Sequence, residues 1–121
     1  KKIAVLGVTF KPESDDVRDS PALDVAVVLK GLGAEVVATD PEGIENARSR
    51  HPQLDYTSST SEAMRDADLV VLVTEWREYR ALDPVEAGRL VGEKRIIDGR
   101  NVLDPVAWRD AGWQYRGLGR P

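Results

Sequence analysis

The chain has 121 residues, of which 41% are hydrophobic and 31% are charged, with a formal net charge of -4 and no cysteine. This length suits one domain with a hydrophobic core, and the negative charge argues against general affinity for nucleic acid. The absence of cysteine excludes a disulfide framework, a thiolate metal site and a cysteine nucleophile from this chain, and no apolar run approaches the roughly 20 residues of a membrane span.

Strand and helix signals alternate along the chain. Residues 3–8 and 69–73 are continuous apolar runs, which are typical of strands covered on both faces in a parallel sheet, and we expect the second run to be central. Ser20 and Pro21 predict the start of a helix that ends near Leu32, and because this helix is apolar on most sides we expect it to be buried. The other predicted elements are a strand at 35–39, a helix at 42–50, a weak strand at 54–57, a helix at 59–65, a helix at 83–90, a strand at 95–98, a helix at 104–111 and an edge strand at 113–116.

This alternation predicts a three-layer α/β/α, Rossmann-like domain with a mostly parallel sheet of five or six strands. In such sheets, ligands bind beyond the carboxyl ends of the strands, near the point where the strand order switches. Three turns follow predicted strands, at 9–21, 74–76 and 99–101, so we expect all three at that edge.

The loop at 9–21 is longer and more charged than a connection between a strand and a helix needs. Lys11 and Arg18 could bind an anion near the start of the following helix, where backbone N–H groups favour negative charge. A solvated loop whose acids and bases pair with one another is the alternative. Asp15 and Asp16 could form a hydrolase dyad, but we prefer capping, pairing with Arg18 or exposure to water for adjacent loop acids.

The first half of the chain has the order of elements of a dinucleotide-binding unit, with a strand, a glycine, a helix and an acid after the second strand, but it lacks the glycine-rich sequence of such units. Gly7 is not followed by the G-x-G-x-x-G pattern that lets a backbone approach a pyrophosphate, so independent NAD binding is not expected. Asp40 is interpreted as a helix cap before Pro41 rather than as a ribose ligand. The single histidine, His51, is interpreted as a surface residue at a helix end, and no metal site is expected.

Four motifs occur in order along nearly the whole chain. They are the run at 7–23 that begins Gly-Val-Thr-Phe-Lys-Pro, the Thr-Asp-Pro at 39–41, the strand and turn at 67–76 that end in Thr-Glu-Trp, and the Ile-Asp-Gly-Arg-Asn at 97–101 with Leu-Asp at 103–104. Together they resemble the C-terminal, UDP-binding domain of the UDP-glucose/GDP-mannose dehydrogenase family.

The resemblance implies an enzyme that oxidises the C6 hydroxyl of a nucleotide-sugar to a carboxylate in two NAD-dependent steps. Such enzymes have an N-terminal NAD-binding domain, a central helical region that holds the catalytic cysteine, and a C-terminal domain. Residues 1–121 would form only the last of these, a domain that binds a nucleotide-sugar such as UDP-glucose and is inactive by itself. We expect a cytoplasmic location, no membrane or nucleic-acid partner, and a monomer or weak dimer for this piece.

The resemblance also implies roles for four residues. Phe10 and Lys11 resemble the pair that contacts the nucleotide-sugar, with Lys11 near the sugar that is oxidised and able to stabilise an oxyanion. Arg100 resembles the arginine that holds the nucleotide and sugar, and Arg18 resembles the arginine that reaches the NAD pyrophosphate across the domain cleft. For each cation the alternative is a salt bridge within its loop.

The alternative function is a stand-alone α/β nucleotide-binding or regulatory module without dehydrogenase activity, and a pure interaction domain is a third hypothesis. The chain begins at Lys1, inside a predicted strand and without a starting Met, which favours a piece of a longer protein. An apolar face that meets other domains in that protein would then be exposed and could cause association.

Overall fold

Six short parallel strands form one sheet in the computed structural model, which describes residues 1–9, 16–17 and 20–117. The strands are β1 (Lys2–Leu6), β2 (Glu35–Thr39), β3 (Asp55–Tyr56), β4 (Leu69–Leu72), β5 (Arg95–Asp98) and β6 (Gln114–Gly117). Their order is β3-β2-β1-β4-β5-β6, and every neighbouring pair is parallel. The predicted fold is therefore confirmed, with β4 in the centre and β6 at an edge, and the order switches between β1 and β4.

Helices cover both faces of this sheet, which gives the three layers. They are α1 (Pro21–Gly31), α2 (Ile44–Arg50), α3 (Thr60–Met64), α4 (Arg77–Arg80), α5 (Pro84–Gly88) and α6 (Pro105–Asp110). Side chains of β1 alternate between the faces: Ala4 and Leu6 join a core with α3 to α6, whereas Ile3 and Val5 join a second core with α1 and α2. This alternation follows from the two-residue period of a strand.

Local capping signals set the starts of most helices. The side chains of Ser20 and Ser59 accept hydrogen bonds from backbone N–H groups in the first turns of α1 and α3, at 3.3 Å and 3.1 Å. Asp83 and Asp104 do the same for α5 and α6, at 2.9 Å and 3.0 Å. These four positions agree with the sequence, because a cap and a first-turn proline act locally.

Helix α1 is not buried on all sides, so that prediction was wrong. Val25, Val28 and Leu32 are 41%, 60% and 79% exposed and lie on one face by their spacing. Beside this ridge the described residues form an apolar groove of about 470 Å³ at the sheet face of β4 and β5. The residues that line the groove are Val25, Leu29, Leu69, Val71, Val73, Ile97, Gly99 and Arg100.

Some element boundaries differ from the predictions, and one helix was not predicted. Strand β1 ends at Leu6 because Gly7 adopts a φ of +102°, which takes the chain out of the strand. Helix α2 begins two residues late, after Gly43, and no side chain in the described part of the chain caps it. Helix α4, at Arg77–Arg80, has no counterpart among the predicted elements.

His51 lies at the carboxyl end of α2, as expected, but it is half-buried rather than fully on the surface. Its backbone N–H donates to the carbonyl oxygen of Ala47 at 2.8 Å. None of the helices in the described ranges combines the length and apolar character that crossing a membrane requires.

Candidate functional site

The turns after β1, β4 and β5 meet at one edge of the sheet. The Thr74 hydroxyl donates to the carbonyl oxygen of Thr9 at 2.7 Å, which joins the turn after β4 to the chain that leaves β1. The Nε of Arg100, after β5, donates to the carbonyl oxygen of Val73 at 3.0 Å. This edge is at the switch in strand order, where ligands bind in open α/β sheets.

The structure describes only one of the four residues that the sequence assigns to binding. Arg100 lies at this edge, whereas Phe10, Lys11 and Arg18 are outside the described residues. Thr9, which directly precedes Phe10, is described and is 1% exposed. The site can therefore be built from Arg100 and from the groups that hold Thr9.

Thr9 belongs to a buried polar cluster that we call the strand-end clamp, formed by Thr9, Asp40, Thr74 and Trp76. Oδ2 of Asp40 accepts from the backbone N–H groups of Val8 and Thr9 at 2.9 Å and 3.3 Å, and from the Thr9 hydroxyl at 3.3 Å. The indole N–H of Trp76 lies 3.1 Å from the same oxygen and 3.3 Å from the Thr9 hydroxyl. The ends of β1, β2 and β4 are thus tied together at Thr9.

The other carboxylate oxygen of Asp40 faces the turn before α2. Oδ1 accepts from the backbone N–H groups of Glu42 and Gly43 at 2.9 Å and 2.8 Å. The interpretation of Asp40 as a helix cap before Pro41 was wrong, because α2 begins later, at Ile44, and Asp40 instead holds the turn and the clamp. It is 3% exposed, with six donors from the described residues on its two oxygens.

This arrangement does not fit NAD bound as in a dinucleotide-binding unit. Such a unit uses the acid after its second strand to hold a ribose, but here the Asp40 carboxylate is turned inward and already accepts from protein donors. A Cβ atom at Gly7 would lie 2.5 Å from the Thr74 side chain, so this glycine serves close packing of the clamp. The described residues therefore contain no dinucleotide site of that kind.

A second buried acid holds the turn that carries Arg100. Asp98 is fully buried at the end of β5, and its Oδ1 accepts from the backbone N–H of Arg100 at 3.1 Å. Its Oδ2 accepts from the backbone N–H groups of Val102 and Leu103 at 2.9 Å and 2.8 Å, and from the Tyr115 hydroxyl at 2.7 Å. The backbone of Arg100 is thus fixed relative to the sheet.

The Arg100 side chain combines a fixed position with access to solvent. Its Nε lies 4.0 Å from Oε1 of Glu75, and the two side chains are 32% and 33% exposed. A planar guanidinium can bind phosphate or carboxylate oxygens in a bidentate manner. Arg100 is therefore suited to hold an anionic ligand at this edge.

A second cavity, of about 240 Å³, lies at the carboxyl ends of β2 and β3 and is acidic. Its lining includes the carboxylates of Glu42, Glu45 and Glu78 together with Tyr79. Burial, followed by the nearby charges of Asp40 and Glu78, raises the pKa of Tyr79, whose hydroxyl donates to the carbonyl oxygen of Thr39 at 3.2 Å. Because carboxylates repel phosphate, a nucleotide is expected on the Arg100 side rather than here.

No group of three or more metal-ligating side chains is found within the described ranges. The sequence places Thr74 and Trp76 in a turn after a predicted strand, but it does not show that they hold Thr9 and Asp40, nor that Asp98 holds the turn of Arg100. An acid before a glycine, as at Asp98, does signal a turn. Nothing local distinguishes Trp76 from an ordinary core residue, since its hydrogen bond joins positions 36 residues apart.

The chain is similar to known proteins along most of its length. Residues 4–105 match the family model for the UDP-glucose/GDP-mannose dehydrogenase family, UDP binding domain. The chain is 44% identical over 120 residues to UDP-glucose 6-dehydrogenase of Rhizobium meliloti, covering 99% of the chain but 28% of that protein.

Two solved structures share the fold across the chain. A UDP-glucose dehydrogenase from Pyrobaculum islandicum is 31% identical with a TM-score of 0.81, over 99% of this chain and 26% of that one. An NDP-N-acetyl-D-galactosaminuronic acid dehydrogenase from Methanosarcina mazei is 30% identical with a TM-score of 0.87, over 98% and 24%. The chain thus spans about a quarter of the length of the relatives it matches.

Proposed function

Because the chain belongs to the UDP-glucose/GDP-mannose dehydrogenase family, as its UDP-binding domain, we propose that it binds the nucleotide-sugar substrate of a larger NAD-dependent 6-dehydrogenase. The observation that carries the proposal is the position of Arg100, a partly exposed guanidinium on a turn fixed by Asp98 at the ligand-binding edge. In this proposal residues 1–121 form the nucleotide-sugar-binding domain, and UDP-glucose is its representative ligand.

The proposed site consists of Phe10, Lys11 and Arg100. Arg100 holds the nucleotide phosphates and the sugar portion, because a guanidinium matches phosphate oxygens in geometry and charge. Phe10 and Lys11 contact the nucleotide-sugar, with the Lys11 ammonium near the sugar, where it stabilises developing oxyanion charge. The support for their placement is Thr9, which the clamp holds immediately before them.

The rest of the reaction belongs to parts of the parent enzyme beyond these residues. The parent oxidises the C6 hydroxyl of the sugar to a carboxylate, and NAD serves as the hydride acceptor when bound mainly by another domain. Arg18 of this chain reaches toward the NAD pyrophosphate, and the central helical region completes the site. The coverage of 28% of the Rhizobium meliloti relative supports this division, as does the commitment of Asp40 to protein donors.

Calorimetric titration of the 121-residue chain with UDP, UDP-glucose and GDP-mannose tests the binding function. We expect heat from at least one ligand, and a loss of about tenfold or more in affinity for Lys11→Ala and Arg100→Ala, which each remove a charge-assisted contact. Arg89→Ala and Lys30→Ala are matched controls, since both positions are on exposed helix surfaces away from the edge. Equal weak heats in all five proteins would contradict the proposal.

Turnover and location are tested separately. The isolated chain with UDP-glucose and NAD should form no NADH, measured by absorbance, because the proposed hydride acceptor site lies elsewhere. Turnover at an enzyme-like rate would contradict the proposal that the other parts of the parent enzyme carry out the reaction. Nucleotide binding by a natural protein of this length alone would favour the stand-alone module.

A cytoplasmic location is also part of the proposal and is tested by fractionating cells that produce the parent enzyme.

A further inference from the structure

The strand-end clamp concentrates buried polar contacts on the residue at which the chain leaves the sheet for the proposed site. Thr9 is held through its carbonyl oxygen by Thr74, at 2.7 Å, and through its backbone N–H and hydroxyl by Asp40, both at 3.3 Å. The indole N–H of Trp76 contacts the same hydroxyl at 3.3 Å. All three polar groups of Thr9 are therefore fixed by residues from two other strand ends.

The clamp joins the ends of β1, β2 and β4 through hydrogen bonds between buried polar groups rather than through apolar packing alone. Thr9, Asp40 and Thr74 are 1%, 3% and 0% exposed, so each polar group in the clamp had to be matched with a partner. The clamp also occupies the place where a dinucleotide-binding unit holds its ribose, after the second strand. An acid that could face a ligand is used here to fix the chain.

We propose that the strand-end clamp is a positioning unit for nucleotide binding, in which Asp40, Thr74 and Trp76 fix Thr9, the residue that directly precedes Phe10 and Lys11 in the chain. This inference rests on the proposed function, since it assumes that Phe10 and Lys11 contact the ligand. Because all three residues are buried, the proposal assigns them no contact with the ligand. They act through Thr9, and a site displaced by an ångström loses much of its binding energy.

Two pairs of matched variants separate this role from general stability. Trp76→Phe removes the indole N–H that contacts Asp40, whereas Trp113→Phe removes an equally buried indole N–H that donates to the carbonyl oxygen of Pro84 at 2.9 Å, away from the clamp. Thr74→Val removes the hydroxyl that holds Thr9, whereas Thr57→Val removes a hydroxyl that accepts from Ser59 at 3.2 Å. Thr74→Ser retains the donor and is the rescue variant.

The measurements are UDP affinity by calorimetry and the unfolding midpoint, in the full-length protein that carries this chain. We expect Trp76→Phe and Thr74→Val to bind UDP about tenfold more weakly at temperatures where they are folded. Trp113→Phe should keep the unaltered affinity despite a similar change in midpoint. Thr57→Val, at a hydroxyl that is only part-buried, should also keep it, and Thr74→Ser should restore binding to within about twofold.

The outcomes distinguish this inference from the function on which it rests. If the unaltered protein binds UDP and the Trp76 and Trp113 variants bind it equally well, the positioning role is overturned while the proposed function stands. Failure of Thr74→Ser to recover affinity lost in Thr74→Val also overturns it. If the unaltered protein binds no UDP, the proposed function and the positioning role are overturned together.

Discussion

At the scale of single residues, Asp40 shows how one buried carboxylate organises the end of a sheet. An ionised carboxylate can be buried at tolerable cost only when hydrogen bonds replace its hydration. Here the replacements come from backbone N–H groups of two turns and from the Trp76 indole. Because the same groups are themselves buried donors, removing Asp40 leaves several of them without an acceptor.

We therefore predict that Asp40→Ala lowers the free energy of unfolding by about 3 kcal/mol or more, since each buried donor left unsatisfied costs roughly 1–3 kcal/mol. The control is Asp104→Ala, which removes an exposed cap of α6 that accepts at 3.0 Å and 3.4 Å, and should cost about 1 kcal/mol. Urea denaturation followed by circular dichroism measures both. Equal losses in the two variants would show that the clamp contributes no more than an ordinary cap.

The raised pKa of Tyr79 predicts that the protein loses stability in alkaline solution. Burial raises its pKa above the ordinary value of 10.0, so the folded state favours the neutral phenol more than the unfolded state does. This stabilisation is complete below about pH 10 and decreases as the pH rises above it. The unfolding free energy should fall between about pH 8 and about pH 11, and Tyr79→Phe should make that fall smaller.

Tyr56 provides the comparison for this effect. Burial, partly offset by the charge of Arg48, raises the pKa of Tyr56 to about 12, a smaller change than at Tyr79. Between about pH 8 and about pH 11 both phenols stay mostly protonated in the folded state and ionise in the unfolded state, so Tyr56→Phe should also make the alkaline loss smaller. Urea denaturation of the unaltered protein, Tyr79→Phe and Tyr56→Phe at about pH 8 and about pH 11 measures the effect. An unchanged pH dependence in Tyr79→Phe would contradict the raised pKa of Tyr79.

At the scale of elements, the end of β1 depends on the absence of a side chain. Gly7 has a φ of +102°, and a Cβ atom there would lie 2.5 Å from the side chain of Thr74. Gly33, after α1, has a similar φ of +98°, but a Cβ atom at that residue would have no neighbour within 4 Å. Comparing substitutions at the two glycines therefore separates the energetic cost of backbone strain from the cost of steric overlap.

Gly33→Ala should cost about 1 kcal/mol, the usual penalty for a non-glycine residue at positive φ. Gly7→Ala adds overlap with a fully buried residue and should cost about 3 kcal/mol or more. Thermal and urea unfolding of both variants check the difference. A loss at Gly7 no larger than that at Gly33 would mean that Thr74 moves aside without consequence for the clamp.

Elements with strong local signals could be predicted, and those defined by tertiary contacts could not. Ser20 with Pro21 and Asp104 with Pro105 start helices where the sequence predicts, because a cap and a proline act within one turn. Helix α4 has no side-chain cap from a described residue, and its buried residue, Tyr79, donates to the end of β2. A four-residue helix of this kind shows no period to detect.

In the candidate site, too, features set by local sequence or strand order could be predicted, whereas those set by tertiary contacts could not. That Arg100 lies at the ligand-binding edge follows from strand order alone, because its turn comes after a parallel strand. The inward orientation of Asp40 depends on the Trp76 indole, 36 residues away in sequence, and on backbone donors from two turns. No local pattern indicates whether an acid after a strand faces a ligand or the protein.

At the scale of the whole molecule, the two faces of the sheet are covered unequally. Helices α3 to α6 cover one face with a core that includes Trp108 and Trp113, which contact edge to face at 4.8 Å. On the other face, the described residues form a groove beside α1 that is lined by apolar side chains of β4 and β5. Parallel sheets are generally covered on both faces, so we expect this groove and the neighbouring ridge to be a contact surface.

The apolar ridge on α1 should therefore cause the 121-residue chain to associate weakly at high concentration. We predict that Val28→Lys and Leu32→Lys reduce this association, measured by sedimentation velocity, because they place charge on residues that are 60% and 79% exposed. Stability should change by no more than about 0.5 kcal/mol, since neither side chain is in a core. Val106→Lys is the control, at a 65% exposed valine of α6 on the opposite face, and should leave association unchanged. An equal reduction by Val106→Lys would show that net charge rather than the ridge governs association, whereas a selective effect of the α1 variants identifies the ridge as the contact surface.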